Sequence, residues 1–304
     1  MVLARWGRAR VASARLVRLL PRPGPHPQPA GAVIIDCHTH LNRYTPDLPP
    51  TLAQRHALLR AQMDAHGIAY ALVLTSYDVN AERPSLEDTL AQVADDPRIS
   101  VVAGIDTTRL DAALVEGLRA HLAAGRIRGL KLYPGYQPFE LNAPALHPVY
   151  ELGAEFGVPV MIHTGDTYAN MARIRYSHPL AVDDLAVDFR ETTFVICHLG
   201  NPWMPDAMQV IYKNENVLGD ICGLTLGEFQ PRYERLALRM VNDVVAFIND
   251  PTRLMFGTDW PISDIPSYLR FAARLEMTDE EREGLMWRNA ARIFRLPVGT
   301  EGGA

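Results

Sequence analysis

The sequence predicts a single-domain (β/α)8 barrel, and three observations predict it. Eight short apolar runs rich in Val and Ile alternate with longer helical patterns, which implies a parallel sheet with crossover helices. The repeats cover about 270 residues, the usual size of a closed eight-unit barrel. An open doubly wound sheet usually carries a glycine-rich phosphate loop after its first strand. Here His-Thr-His and Asn-Arg-Tyr follow the first run instead.

Taken in order, the expected strands are 32–36 (AVIID), 70–76, 100–106, 127–133 (IRGLKLY), 158–164 (VPVMIHT), 193–199 (TFVICHL), 217–221 (VLGDI) and 253–259 (RLMFGTD). Helical patterns occupy 51–66, 85–95, 110–124, 146–156, 180–190, 203–213, 232–248 and 266–275. A last helix is expected over 278–294, where Thr278 and Glu281 have capping-box spacing. The barrel is bounded at 32–298, between a tail at 1–31 and a short one at 299–304.

The first 35 residues contain six arginines and no acid, so all 35 acidic residues and 24 of the 30 basic ones lie beyond them. The stretch PRPGPHPQPAG cannot hold a regular helix or sheet. Residues 1–31 therefore read as an appendage outside the fold. It is a flexible tail first, with a transit peptide or an over-called start as the alternatives. No run approaches the ~20 apolar residues needed to cross a bilayer, and a formal charge of −5 argues against a nucleic-acid partner. Three cysteines, Cys37, Cys197 and Cys222, are too few and scattered for a disulfide framework. They read as small buried hydrophobes in a reducing cytoplasm.

The strand ends carry the chemistry. Alternation with period two puts Asp36, His38 and His40 on one face, and Cys37 and Thr39 on the other. Imidazole is the commonest metal-binding side chain, so this spot is a metal candidate. Later ends supply Lys131, His163, His198 and Asp259, so four of only ten histidines sit at one end of the barrel. Burying such groups costs several kcal/mol unless they are paired or bound to metal. Of the rest, His56, His66 and His121 fall on helices as solvated residues, while His147 and His178 enter helices from loops. Arg43, Arg173, Arg175, Tyr44, Tyr133, Tyr136, Tyr168 and Trp203 lie in strand-to-helix segments, where arginine suits a carboxylate and aromatics suit a flat ring.

HxH after the first strand, histidines after the fifth and sixth, and GTDWP after the eighth resemble the amidohydrolase superfamily. GLKLYPG, HTG, CHLGNPW and WRNAARIF are similar to its amidohydrolase-related group, which includes aminocarboxymuconate semialdehyde decarboxylase, resorcylate-type decarboxylases and pyrone dicarboxylate lactonase. The resemblance spans about residues 33–296. It implies a metal-dependent barrel enzyme, usually with one zinc. It implies His38, His40, His163 and Asp259 as ligands and His198 as a catalytic group beside the ion. Lys131 stands where a carbamylated lysine bridges two metals in other branches; it could equally pair with Asp36 or with a substrate anion.

The expected cofactor is one Zn²⁺, with Mn²⁺ or Fe²⁺ also suited to the donor set. Asp259 and His198 are the expected catalytic residues. Arg43, Lys131, Tyr133 and Trp203 are the expected substrate contacts. The expected reaction is hydrolysis of an amide, ester or lactone of a small carboxylated substrate by metal-activated water. Non-oxidative decarboxylation of a small aromatic or diene acid is the alternative, because both reactions use the same metal shell. A metal store is the non-enzyme alternative, though it has no need of the Asp259–His198 pair. The expected partner is a small molecule, without nucleic acid or membrane; a homodimer is compatible.

Overall fold

The structure is a computed structural model and describes residues 33–297. The tails expected at 1–31 and 299–304 lie outside the described residues. Strands β1 (Ile35–Thr39), β2 (Tyr70–Leu74), β3 (Ile99–Gly104), β4 (Ile127–Leu132), β5 (Val160–Ile162), β6 (Phe194–Ile196), β7 (Val217–Asp220) and β8 (Leu254–Met255) form one eight-stranded sheet in chain order. All seven neighbouring pairs are parallel. The seam between β8 and β1 is bridged by backbone bonds: Cys37 N–H to Phe256 O at 3.0 Å, Asp259 N–H to His38 O at 2.8 Å and His40 N–H to Trp260 O at 2.7 Å. This is the (β/α)8 barrel that the alternation predicts.

Helices α1 (Leu52–His66), α2 (Leu86–Gln92), α3 (Ala112–Ala123), α4 (His147–Phe156), α5 (Ala181–Asp188), α6 (Met204–Lys213), α7 (Pro231–Ile248) and α8 (Ile265–Ala273) follow the strands in turn. Their starts are readable locally. Thr51 and Gln54 form a capping box on α1, while Asp111 and Asp264 cap α3 and α8 through their side chains. The expected last helix is divided. It starts on the Thr278–Glu281 capping box as α9 (Asp279–Glu283), passes through a π turn at Gly284–Arg288 and ends as α10 (Asn289–Ile293).

Two apolar layers result. One lies between strands and helices and includes Leu59, Val73, Leu132, Ile162 and Phe271. The other fills the barrel with Ile35, Cys37, Leu72, Val102, Met161, Val195, Cys197, Leu218 and Met255, and takes in Ala290, Phe294 and Leu296 from the C-terminal end. The terminal helix thus packs against the barrel interior, and Phe294 comes within contact of the position a Cβ would take on Gly129, near the start of β4.

Three expectations need correction. The pairing register of β1 shifts between Asp36 and Thr39: Ile35 and Cys37 still share the barrel interior, but Asp36 bonds to Thr258 instead of converging with His38 and His40. Strands β5, β6 and β8 are only three, three and two residues long. His163, His198 and Asp259 therefore sit on the loops beyond them. The apolar runs continue past the ladder because those loops are themselves buried.

Phe294 is fully buried. Phe294→Ala should cost about 3–5 kcal/mol in urea unfolding, while leaving the barrel's far-ultraviolet signature unchanged.

Candidate metal centre

The site forms where the β1 and β8 ends meet. Asp36 joins them. Its Oδ1 accepts from the His38 N–H (3.2 Å) and the Thr258 N–H (3.0 Å), and its Oδ2 accepts from the Thr258 hydroxyl (2.6 Å). Burial raises the Asp36 pKa to about 7 despite those bonds. Asp36 is thus a clamp between the two elements that present His38, His40 and Asp259.

His38, His40 and Asp259 bring ligand atoms within 4.8 Å of one another. Asp259 Oδ1 lies 3.1 Å from His40 Nε2 and 3.8 Å from His38 Nε2. His163 stands beside this group, with its Nδ1 3.1 Å from His198 Nε2. The His38 and His198 ring centroids are 5.1 Å apart. All four imidazoles are buried.

The outward nitrogens fix the tautomers. His40 Nδ1 faces Leu74 O at 2.8 Å, His163 Nε2 faces Asp166 O at 3.1 Å and His198 Nδ1 faces Cys222 O at 3.2 Å. His38 Nδ1 faces Asp220 Oδ2 at 3.0 Å. Carbonyls and carboxylates only accept, so each outward nitrogen carries the hydrogen and each inward nitrogen a lone pair. Two contacts then oppose acceptor to acceptor, His40 with Asp259 and His163 with His198. A cation that takes up the lone pairs of His40, Asp259 and His163 relieves both contacts and leaves His198 beside it, so the donor set fits a divalent metal.

The electrostatics agree. Burial lowers the His38 pKa to about 4, assisted by the Lys131 ammonium and opposed by Asp220. Burial also depresses His163, helped by His198 and Lys131, and depresses His198 against the pull of Asp259 and Asp220. Neutral imidazole, the metal-binding form, is favoured. Burial alone would raise Asp259, but in acid, where protonated His40 can donate to it and His38, His40 and His198 carry charge, those groups outweigh burial and hold it well below the usual carboxylate range, so Asp259 is already a carboxylate once the imidazoles are neutral.

Backbone strain concentrates here. His198, Leu199 and Asp259 have φ of 62°, 45° and 65°, each costing roughly 1–2 kcal/mol for an L-residue. Gly223 (φ 61°) permits the close packing: a Cβ there would lie 2.3 Å from His198 Nδ1 and 2.8 Å from Asp259 Oδ2.

Other sequence candidates are placed differently. Lys131 is fully buried in the barrel, with Nζ 2.7 Å from Cys197 Sγ and 5.4 Å from the Tyr133 ring centroid; Asp36 is not its partner. Arg43 donates to the Leu48 and Pro46 carbonyls of its own loop. Trp203 packs on His178 at 4.8 Å, and Arg175 stacks on Tyr176. His147 packs on Phe189, and His56 is bound to Asp96 rather than solvated. The aromatic wall is better supported. Tyr44 meets His40 at 5.9 Å, Tyr136 meets His163 at 4.8 Å, and Tyr77 meets Tyr133 at 5.1 Å. The Tyr133 hydroxyl donates to Thr75 O at 2.6 Å. The reading of the sequence missed Asp220 and Cys222. Cys222 Sγ lies 3.0 Å from His38 Nδ1, 3.2 Å from His198 Nδ1 and 2.9 Å from Asp220 Oδ1. The available signal was an aspartate closing the apolar run VLGD.

The amidohydrolase family model matches residues 35–296. The chain belongs to the amidohydrolase family. No curated protein matches it by sequence. Among solved structures, an uncharacterised TIM-barrel protein from Bordetella bronchiseptica is similar at 22% identity and TM-score 0.68, covering 87% of this chain and 99% of that one. A probable 2-pyrone-4,6-dicarboxylic acid hydrolase from Acinetobacter baumannii, with citric acid bound, aligns at 16% identity and TM-score 0.63 over 86% and 99%. A dihydroxybenzoic acid decarboxylase from Polaromonas sp. JS666, with manganese and 2-nitroresorcinol bound, aligns at 15% and 0.62 over 87% and 97%. These likenesses establish the fold of this amidohydrolase. No helix among its described residues is long and apolar enough to cross a membrane.

Gly223→Ala should fold, yet bind metal at least tenfold more weakly, because the added methyl displaces His198 or Asp259; chelator competition measures this. Unchanged affinity would show that the close approach is not required.

Proposed function

We propose that this amidohydrolase is a metal-dependent hydrolase that cleaves an amide, ester or lactone of a small, flat, carboxylated substrate. The observation that carries this reading is the convergence of the inward His38 and His40 nitrogens on the Asp259 carboxylate, with the inward nitrogens of His163 and His198 meeting beside them. His38, His40, His163 and Asp259 would hold one ion. Zn²⁺ is the first choice, with Mn²⁺ and Fe²⁺ accommodated by the same donors. Such an ion supplies Lewis acidity, polarising a carbonyl oxygen and bringing the pKa of water from 15.7 to about 7.

The chain's own groups do the rest. Asp259 accepts the proton of the attacking water on its free oxygen. His198, neutral and oriented through Cys222 O, takes that proton over from Asp259 on its Nε2 lone pair and returns it to the leaving group. The half-buried phenols of Tyr44 and Tyr136, whose pKa values desolvation pushes up, stay neutral, offering a planar wall and hydroxyl donors. Three free, buried cysteines suit a cytoplasmic protein.

Decarboxylation is the second reading, favoured by the Polaromonas neighbour with its manganese and bound nitrophenol. Small lactones, esters, amides and carboxylated phenols should be screened with the metal-loaded chain, recording proton release and CO₂ together. Hydrolysis predicts water addition without CO₂; CO₂ without water addition makes the protein a carboxy-lyase. His198→Ala should keep its metal and lose about 10²–10⁴-fold in turnover.

A further inference from the structure

We propose that Asp220 is the positioning residue of this centre, a single buried carboxylate that sets the tautomer of His38 and holds the backbone of His198. The inference rests on the metal-dependent reading for its consequence, although its geometry stands alone. Asp220 closes β7, from which the sequence resemblance takes no site residue, and it is fully buried. Its Oδ2 faces His38 Nδ1 at 3.0 Å, and its Oδ1 accepts from the His198 N–H at 2.7 Å. The Cys222 thiol donates to the same Oδ1 at 2.9 Å.

Each bond has a separate effect. The first places the hydrogen on His38 Nδ1, leaving Nε2 as a lone pair toward Asp259, and a carboxylate partner raises the ligand's basicity. Of the four clustered imidazoles, only His38 gives its outward N–H to a carboxylate; the others face the carbonyls of Leu74, Asp166 and Cys222. The second bond anchors His198 where its backbone is left-handed (φ 62°), an arrangement that needs outside support. The end of β7 and the turn after it therefore hold His198 three times: through Asp220 Oδ1, through Cys222 O and through the close approach of Gly223. Burial opposes ionisation of Asp220, but His38, His198 and Lys131 overcome it and keep its pKa below the usual range.

An asparagine cannot substitute. It has one acceptor oxygen where three donors must be met, and its amide would present N–H groups to either His38 Nδ1–H or the His198 N–H. His38 can relieve that clash by moving its hydrogen to Nε2, which removes the lone pair facing Asp259.

The test combines two measurements on the full chain and on Asp220→Asn. Long-range ¹H–¹⁵N spectra of ¹⁵N-histidine-labelled, metal-free protein report the tautomers, with His40 as the internal reference. Chelator competition with Zn²⁺ reports affinity. We expect His38 in the Nδ1–H form in the parent chain, the Nε2–H form in Asp220→Asn, and about 10–100-fold weaker Zn²⁺ binding in the variant. An Nε2–H His38 in the parent chain overturns the proposal, and this reading decides even if the variant fails to fold. Unchanged tautomer and affinity in a folded variant also overturn it. A parent chain with the Nδ1–H form that binds no Zn²⁺ would instead remove the metal-dependent reading and leave the positioning role standing.

Discussion

Four buried imidazoles turn their N–H groups away from one another, toward oxygens that can only accept. That constraint organises the rest of the site. With every outward nitrogen committed as a donor, the inward faces carry lone pairs beside an ionised carboxylate, and such a group is stable in a buried place only around a cation. The surroundings reinforce the charge pattern. Lys131 sits inside the barrel and disfavours protonation of His38, His163 and His198.

The barrel makes this arrangement possible by bringing residues distant in sequence to one seam. Asp36 and Asp259 are separated by most of the chain, yet the Asp36–Thr258 bonds and the backbone bonds from Asp259 and His40 tie β1 to the loop after β8. Short strands are part of the same design. Ending β5, β6 and β8 early frees the following residues from the ladder, and the left-handed turns at His198 and Asp259 can then aim their side chains inward. The strain is held by bonds from β7 and by the absence of a side chain at Gly223.

Much of this was legible in the sequence because apolar runs report burial directly. The strand order, the helices and the histidines beyond the first, fifth and sixth runs follow from periodicity and from polar residues placed where burial is costly. Ladder length was not legible, since a buried loop such as the one carrying His163 is as apolar as a strand. The register shift in β1 was also hidden, because it depends on pairing with β2. Asp220 was overlooked although VLGD ends as VIID does, in an acid closing an apolar run. Without an HxH beside it, that acid carried no chemical cue. Arg43 looked like a carboxylate clamp, but two carbonyls of its own loop satisfy it, which only three-dimensional placement reveals.

If the inward lone pairs hold an ion, elemental analysis of the purified, folded chain finds it. About one tightly bound divalent ion per chain is expected, as a three-histidine, one-carboxylate set implies, with its loss in His38→Ala and His163→Ala but no loss of the barrel's far-ultraviolet signature. A folded chain that neither carries nor takes up a divalent ion would contradict it.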